Sequence, residues 1–394
     1  MRNTCEEGIG MRVRLYLLTF LMLSLAATAQ TGPDDRVVHL MQELTDAPSP
    51  SGDEGPVRAI LMREFSAVGA SVSTDGMGNV IALVPGPANA PRVMVDAHMD
   101  EVGLVVRSIT SEGFVKFLPM SINWFDQPLV DQRWQIMTAK GPVTAVSGFI
   151  DKHAHTAEDN ARVVPSNELF LDVGARNNED AQAMGIAPGN FVAPWSPFTR
   201  LGTNRFAAKA WDDRVGCILM LEALRRMQER GIKPPNSLYF VGSVQEELGM
   251  RGAQNAVEAV KPDVGIALEV GIATDYPLGR KEFSQEELGA GPAIFAYDGS
   301  MIPNHKLSDL FQKLAADSKI PLQISVVAQY GSDASSIQKY STGRPAINFA
   351  VPTRYTHLHT GVIDWADLDH AIDLLVAVLA HLDSGTVAGL TKFH

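Results

Sequence analysis

The sequence predicts an α/β protein whose layered sheet-and-helix domain is interrupted by an inserted small β-barrel-like domain. Three observations carry this prediction. Segments with helical spacing of apolar residues alternate with apolar strands before residue 103 and again after residue 203. Between them, residues 104–202 hold short β-like runs separated by closely spaced turns, with little helix. The 394 residues include 33 Gly and 23 Pro, which suits a loop-rich α/β chain better than a helical bundle. Alternating helix and strand implies a sheet covered by helices, and closely spaced short strands imply a barrel or sandwich. The boundaries are 1–29 for an export segment, 30–103 and 203–394 for the two halves of the layered domain, and 104–202 for the insertion.

Two helices open the layered domain. Val37, Leu40, Met41 and Leu44 fall on one face of the first, and Val57, Ile60, Leu61, Phe65 and Val68 on one face of the second. Pro48-Ser49-Pro50-Ser51-Gly52 breaks the chain between them. Asp75-Gly76-Met77-Gly78 turns into a strand over 79–84, and a buried strand over 91–95 runs into Asp96-Ala97-His98-Met99-Asp100. In the insertion, 104–106, 114–118, 134–137 and 143–150 have β texture. After it the spacing predicts helices over 215–227, 252–260 and 368–382, and strands over 238–244, 264–268 and 346–351.

The N-terminus reads as an address. Arg12 and Arg14 precede an apolar run over 15–26, and Ala27-Thr28-Ala29 is a small-x-small site. That is the pattern of a cleaved secretory signal. The run is shorter than the roughly 20 residues that span a bilayer. The expectation is an exported protein, periplasmic or secreted, without a membrane segment once the signal is removed. Translation from Met11 gives the same signal as translation from Met1. Of the two cysteines, Cys5 and Cys217, cleavage leaves only Cys217, so no disulfide framework is expected.

Composition narrows the function. Hydrophobic residues at 45% and charged residues at 20% exclude wholesale disorder. A net charge of −12 argues against a nucleic-acid partner, because phosphates would repel the chain. There is no Gly-Lys dipeptide, no complete G-x-G-x-x-G, no G-x-S-x-G and no H-E-x-x-H.

What remains is a set of carboxylates and imidazoles where strands end, the place where open α/β sheets bind ligands. His98 and Asp100 follow one strand, a spacing in which the His binds a metal and the Asp orients it, though a structural His is the plainer reading. Asp212-Asp213-Arg214 begins a helix, where one Asp suffices as a cap and the other is free to bridge cations. In Gln245-Glu246-Glu247-Leu248-Gly249, one carboxylate would ligate metal while its neighbour takes a proton from water; the alternative is a solvated helix start. The same five letters recur at Gln285-Glu286-Glu287-Leu288-Gly289 after a polar stretch, where an exposed loop is expected. Glu269 ends an apolar strand. His357 and His359 alternate in Thr353-Arg354-Tyr355-Thr356-His357-Leu358-His359, so one of them faces a given site. Nitrogen and oxygen ligands without thiolate suit two hard-to-borderline divalent cations. His153 and His155, inside the insertion, read as structural or surface residues.

Taken in order, Asp96-Ala97-His98-Met99-Asp100-Glu101-Val102-Gly103, Lys209-Ala210-Trp211-Asp212-Asp213-Arg214-Val215-Gly216, Gln245 to Gly249 with Arg251-Gly252-Ala253, Ala267-Leu268-Glu269 and Arg354-Tyr355-Thr356-His357 resemble the dinuclear metallo-aminopeptidases of the tetrahedral (TET) type. The family includes glutamyl aminopeptidases and proteins once labelled cellulases, and the resemblance covers nearly the whole chain after the signal. It implies a mixed-sheet, three-layer α/β/α peptidase domain, with the insertion as a dimerisation domain. It further implies two divalent metal ions per subunit, zinc with cobalt or manganese as alternatives. In this reading Asp212 bridges both ions, His98 and Glu269 complete one site, and Glu247 and His357 complete the other. Glu246 is the base that activates a water between the ions and later protonates the leaving amine; Asp100 orients His98. Short peptides are the implied substrates, and a homodimer assembling to a hollow homododecamer is the implied oligomer. Glu269 stands where some members carry Asp, and Leu358 stands where Ser is common. A carboxypeptidase or deacylase of the related dinuclear clan, a glucanase, and a non-catalytic shell protein are the competing readings. The 111 residues between Asp100 and Asp212, with their β texture, favour the aminopeptidase.

Overall fold

The structure is a computed structural model that describes residues 32–121 and 127–393. The export segment expected at 1–29, with Cys5, lies outside the described residues. Among them, eleven strands form one mixed sheet. Its centre is parallel: Ser237–Ser243, Arg92–His98, Val264–Ile272 and Ala346–Arg354 lie side by side in that order. Their carboxyl ends therefore open on one edge. Antiparallel strands flank the centre, with Val80–Val84 and Ser71–Thr74 on one side. On the other lie Gly361–Asp364, Arg205–Ala208 and Thr199–Leu201. Ala293–Tyr297 and Gln323–Val326 branch from Ala346–Arg354.

Both faces of the sheet are covered, which is why the central strands are apolar almost throughout. The helices Asp35–Asp46, Gly55–Ala67, Trp211–Glu229, His305–Ser318 and Trp365–His381 share one core with the sheet, around Leu61, Phe240, Ile218, Phe311 and Phe349. Arg251–Val260 and Ala334–Gln338 close the opposite face over Met94, Val241 and Ala267. Trp211–Glu229 is enclosed by sheet on one side and Trp365–His381 on the other, so its middle, 215–221, is buried on every side and its charged residues gather toward the ends. Each aliphatic side chain fully buried in this way contributes about 1.5–3 kcal/mol. The three-layer α/β/α reading holds.

The insertion is a closed six-stranded barrel: Leu104–Ile109, Val115–Pro119, Phe170–Asp172, Gly141–Gly148, Arg133–Thr138 and Phe191–Pro194 in spatial order. It has its own core around Trp134, Phe117, Leu171 and Val192. The short strand Thr199–Leu201, within the 104–202 segment, pairs with Arg205–Ala208 in the large sheet.

The barrel departs after Glu101 and the chain returns at Lys209, and these two residues meet. Lys209 Nζ donates to Glu101 Oε1 and Oε2 at 2.6 and 2.8 Å, and to the Ala47 carbonyl at 3.0 Å. Arg214 donates to the carbonyls of Met99, Leu44 and Ala47. All three charged side chains are buried. Burial pulls the Lys209 ammonium down to about 8 despite the Glu101 carboxylate.

Two expectations change. The strand carrying Glu269 continues to Ile272, so Glu269 lies within the strand, opposite Ala350, and not at its end. The second Gln-Glu-Glu-Leu-Gly is not simply an exposed loop. Gln285 and Glu287 are exposed, but Glu286 is buried against Gly271, and Gly289 and Gly291 donate their amides to the buried Asp367. Leu288, Ala273 and Val362 bury one side of this segment, an apolar anchor that its polar preceding stretch concealed.

Candidate metal centre and active-site cleft

The four parallel strands deliver the site. Arg92–His98 ends on His98, and Ser237–Ser243 passes through Val244 and Gln245 into the 3-10 turn Glu246–Leu248. Val264–Ile272 carries Glu269, and Ala346–Arg354 is followed by His357, in the left-handed region at φ 56°. Asp212 comes from the start of the helix Trp211–Glu229, where the Asp212–Asp213 peptide is cis.

Asp212 stands between the two histidines. Its Oδ1 lies 3.0 Å from His98 Nε2 and its Oδ2 lies 3.1 Å from His357 Nε2. His357 Nε2 also lies 3.3 Å from Glu247 Oε1. Ligand atoms of His98, Asp212 and Glu269 fall within 4.8 Å of one another, and those of Asp212, Glu247 and His357 do the same. The structure thus brings together all five residues singled out as ligands, in two groups sharing Asp212. Glu246 is half-buried beside them and, with Asp212, Glu247, Glu269 and His357, lines a cleft of about 670 Å³.

Asp100 does more than orient His98, and partly in another way. His98 Nδ1 lies 3.0 Å from the Asp100 backbone carbonyl and 3.5 Å from its carboxylate. Donation from Nδ1 to a carbonyl leaves the Nε2 lone pair toward Asp212. The Asp100 carboxylate instead accepts from Ser51 Oγ at 2.6 Å and from the amides of Glu246 and Glu247 at 3.0 and 3.2 Å. One side chain therefore braces two strand exits at once.

Among the described residues that line the cleft there is no lysine or arginine. Burial, and then the neighbouring carboxylates Glu246, Asp213 and Asp212, push the Glu269 carboxyl well above its ordinary range, although His98 opposes this. Burial likewise raises Glu246, with Asp333 and Glu247 adding to it. Burial alone would lower His98, but the hydrogen-bonded Asp100 and Asp212 outweigh it and raise the imidazole. His357 is raised for the same reason by Glu247 and Asp212. Glu269 Oε1 is buried with no hydrogen-bond partner. Buried carboxylates at this density are costly unless cations compensate them. The donor set of two imidazoles and three carboxylates fits two divalent cations. Cys217 is not part of it: its buried Sγ faces the His98 carbonyl at 3.5 Å.

Three contacts escaped sequence reading. Tyr330 Oη lies 3.0 Å from Glu269 Oε2 and 2.7 Å from the Val270 carbonyl. Ser121 Oγ, from the segment after a barrel strand, donates to Glu247 Oε2 at 3.1 Å. Asp213, fully buried, accepts from the Gly216 amide at 3.0 Å. Of these only Asp213 sits in a visible motif. His359, the alternate of His357, packs edge-on against Trp134 of the barrel at 4.9 Å, where burial lowers it to about 4. His153 and His155 stay within the barrel, contacting Asp151 and the Ile150 carbonyl.

Comparison with known proteins places the chain in a family. The family model for M42 glutamyl aminopeptidase matches residues 78–374. Lysyl aminopeptidase of Pyrococcus furiosus is 34% identical over 347 residues, 87% of this chain and 96% of the relative. The crystal structure of a TET aminopeptidase from the marine sediment archaeon Thaumarchaeota archaeon SCGC AB-539-E09 superposes with a TM-score of 0.88 at 36% identity, covering 91% of this chain and 99% of the other. The TET1 peptidase of Pyrococcus horikoshii, which can assemble into a tetrahedron or a large octahedral shell, gives a TM-score of 0.77 at 28% identity over 86% of this chain and 98% of its own. With the family model matched over more than half of the chain and a relative 34% identical over 87% of it, the chain belongs to the M42 glutamyl aminopeptidase family.

Proposed function

We propose that this aminopeptidase works with two divalent cations, one held by His98, Asp212 and Glu269 and the other by Asp212, Glu247 and His357. The observation that carries the reading is the Asp212 carboxylate, with one oxygen toward each histidine. Bound there, the ions supply a Lewis acid for the scissile carbonyl and a water acidic enough to be deprotonated near neutral pH. The chain's own residues do the rest. Asp100 fixes the backbone of Glu246 and Glu247, so the base and its neighbouring ligand keep a set spacing. Glu246 takes the proton from water and returns it to the departing amine. The acidic lining of the cleft suits the ammonium group at the start of a peptide.

Zinc is the proposed metal, with cobalt or manganese as substitutes, and short peptides are the proposed substrates. Association as a dimer through the barrel, and of dimers into a dodecamer, is supported by the assembling relative and by apolar residues exposed on the barrel, Leu118, Val146 and Ile150. Export to the periplasm or beyond is supported by Arg12, Arg14 and the apolar run that follows.

The test is Glu246→Gln. It should bind two equivalents of metal per subunit and lose about 10²–10⁴-fold in kcat. Metal content by plasma emission and turnover of free-amine peptides, each measured against N-acetylated peptides, check it. Near-normal turnover in the variant would assign the base elsewhere.

A further inference from the structure

We infer that the first residue of the preferred substrate is uncharged, mid-sized and largely apolar, of the leucine, methionine or glutamine kind. This rests on the aminopeptidase reading and concerns the same cleft. Beyond the metal-facing groups and Glu246, the side chains that line it are Met250, Ile272, Ser300, Ala328, Gln329 and Tyr330, with Thr356 beside His357. None carries a charge at neutral pH. A residue whose amine and carbonyl engage the metal centre must lay its side chain along these walls.

The walls are also held in place. Tyr330 stacks on Phe295 with ring centroids 4.9 Å apart, and its hydroxyl is engaged by Glu269 and the Val270 carbonyl. Met250 Sδ accepts from Ser335 Oγ at 3.2 Å. The Ser300 hydroxyl donates to Asp298 at 2.7 Å and accepts from the Ser332 amide at 3.3 Å.

Among the described residues, the acids around the cleft are buried or paired. Asp298 is fully buried; its Oδ1 accepts from the Ser300 and Met301 amides, and its Oδ2 faces Asn348. Asp275 is paired with Arg354 at 2.6 Å. Asp333 is buried and accepts from Ser243 Oγ at 2.7 Å. Arg251, next to Met250, is exposed to water and does not line the cleft. Glu286, behind Ile272, is buried against Gly271. A lysine, arginine, aspartate or glutamate side chain would therefore lose water without gaining a counter-charge, and an unpaired charge is the group a neutral pocket rejects most strongly.

The experiment uses the full chain loaded with Co²⁺ or Zn²⁺ and aminoacyl p-nitroanilides of Leu, Met, Gln, Lys and Glu. Leu or Met should exceed both Lys and Glu by about tenfold or more in kcat/KM. Gln329→Glu and Ala328→Asp place an acid on the wall without touching a ligand, and each should raise Lys relative to Leu by about tenfold. The same order is expected without turnover, in the rise in melting temperature that free leucine, lysine and glutamate give the loaded protein. A wild-type preference for Lys or Glu, or a Lys-to-Leu ratio unmoved by both substitutions, overturns the inference and leaves the aminopeptidase reading standing. Cleavage of none of the free-amine substrates would instead remove that reading, and this inference with it.

Discussion

Ser121 brings a hydroxyl from beside a barrel strand to the candidate metal centre. Its bond to Glu247 Oε2 leaves Oε1 as the oxygen beside His357. Contacts of this kind orient a ligand and commonly change metal affinity about 10–100-fold when lost. Ser121→Ala should weaken binding of one of the two cations by that range, while Ser121→Thr keeps it. Competition against a chromophoric chelator measures this, and equal affinities in wild type and Ala variant would show the hydroxyl to be idle. The ligand candidates and Glu246 were legible because each follows an apolar run, and polar residues at such places have few plain reasons to be there. Ser121 and Tyr330 were not, because they reach the site from segments with no apolar period and no motif. The role of Asp100 was half legible: its proximity to His98 follows from spacing, but its grip on two amides some 146 residues away depends on parallel strand pairing.

At the scale of elements, the segment between Val264–Ile272 and Ala293–Tyr297 holds a proton-sensitive contact. Glu286 is buried, and burial pushes its carboxyl up to about 7. A carboxyl whose folded value lies above its unfolded value of about 4.3 holds a proton in the native state that it loses on unfolding. Its contribution is therefore complete below pH ~4.3 and is lost as pH rises through about 7. The amount is up to about 4 kcal/mol. Glu286→Gln should flatten the decline in stability between pH 5 and 8, as read by urea unfolding at each pH. Asp367, raised by burial to about 7, leaves part of the slope in place. An unchanged slope would mean that Glu286 is not the group responsible. Except for the helix His305–Ser318, the central strands and the long helices were legible from apolar runs and period. This segment was not, because its single buried acid sits amid exposed polar neighbours and its apolar anchors come from other strands.

For the whole molecule, the cluster of buried acids makes stability and metal content one quantity. A cation held in thousandfold excess over its dissociation constant adds about 4 kcal/mol per site to the folded state. Stripping with a chelator should lower the melting temperature by several degrees, and returning Zn²⁺ should restore it; scanning calorimetry with and without chelator checks this. An insensitive melting temperature would argue that the carboxylates are satisfied by protons alone. The division into layered domain and barrel was legible at this scale from texture, since strand length and turn spacing change where the sheet chain departs. The closeness of the two crossing points was not.

That closeness has a mechanical consequence. Because Glu101 and Lys209 grip each other at the point of departure and return, the barrel hangs from the sheet as a pendant on a knotted cord. A tug along either crossing strand meets that buried, short-ranged pair before it reaches His98 on one side or Asp212 on the other, whereas a pull through Ser121 reaches Glu247 directly. The barrel thus speaks to the site by two routes, one cushioned by a buried ion pair and one not.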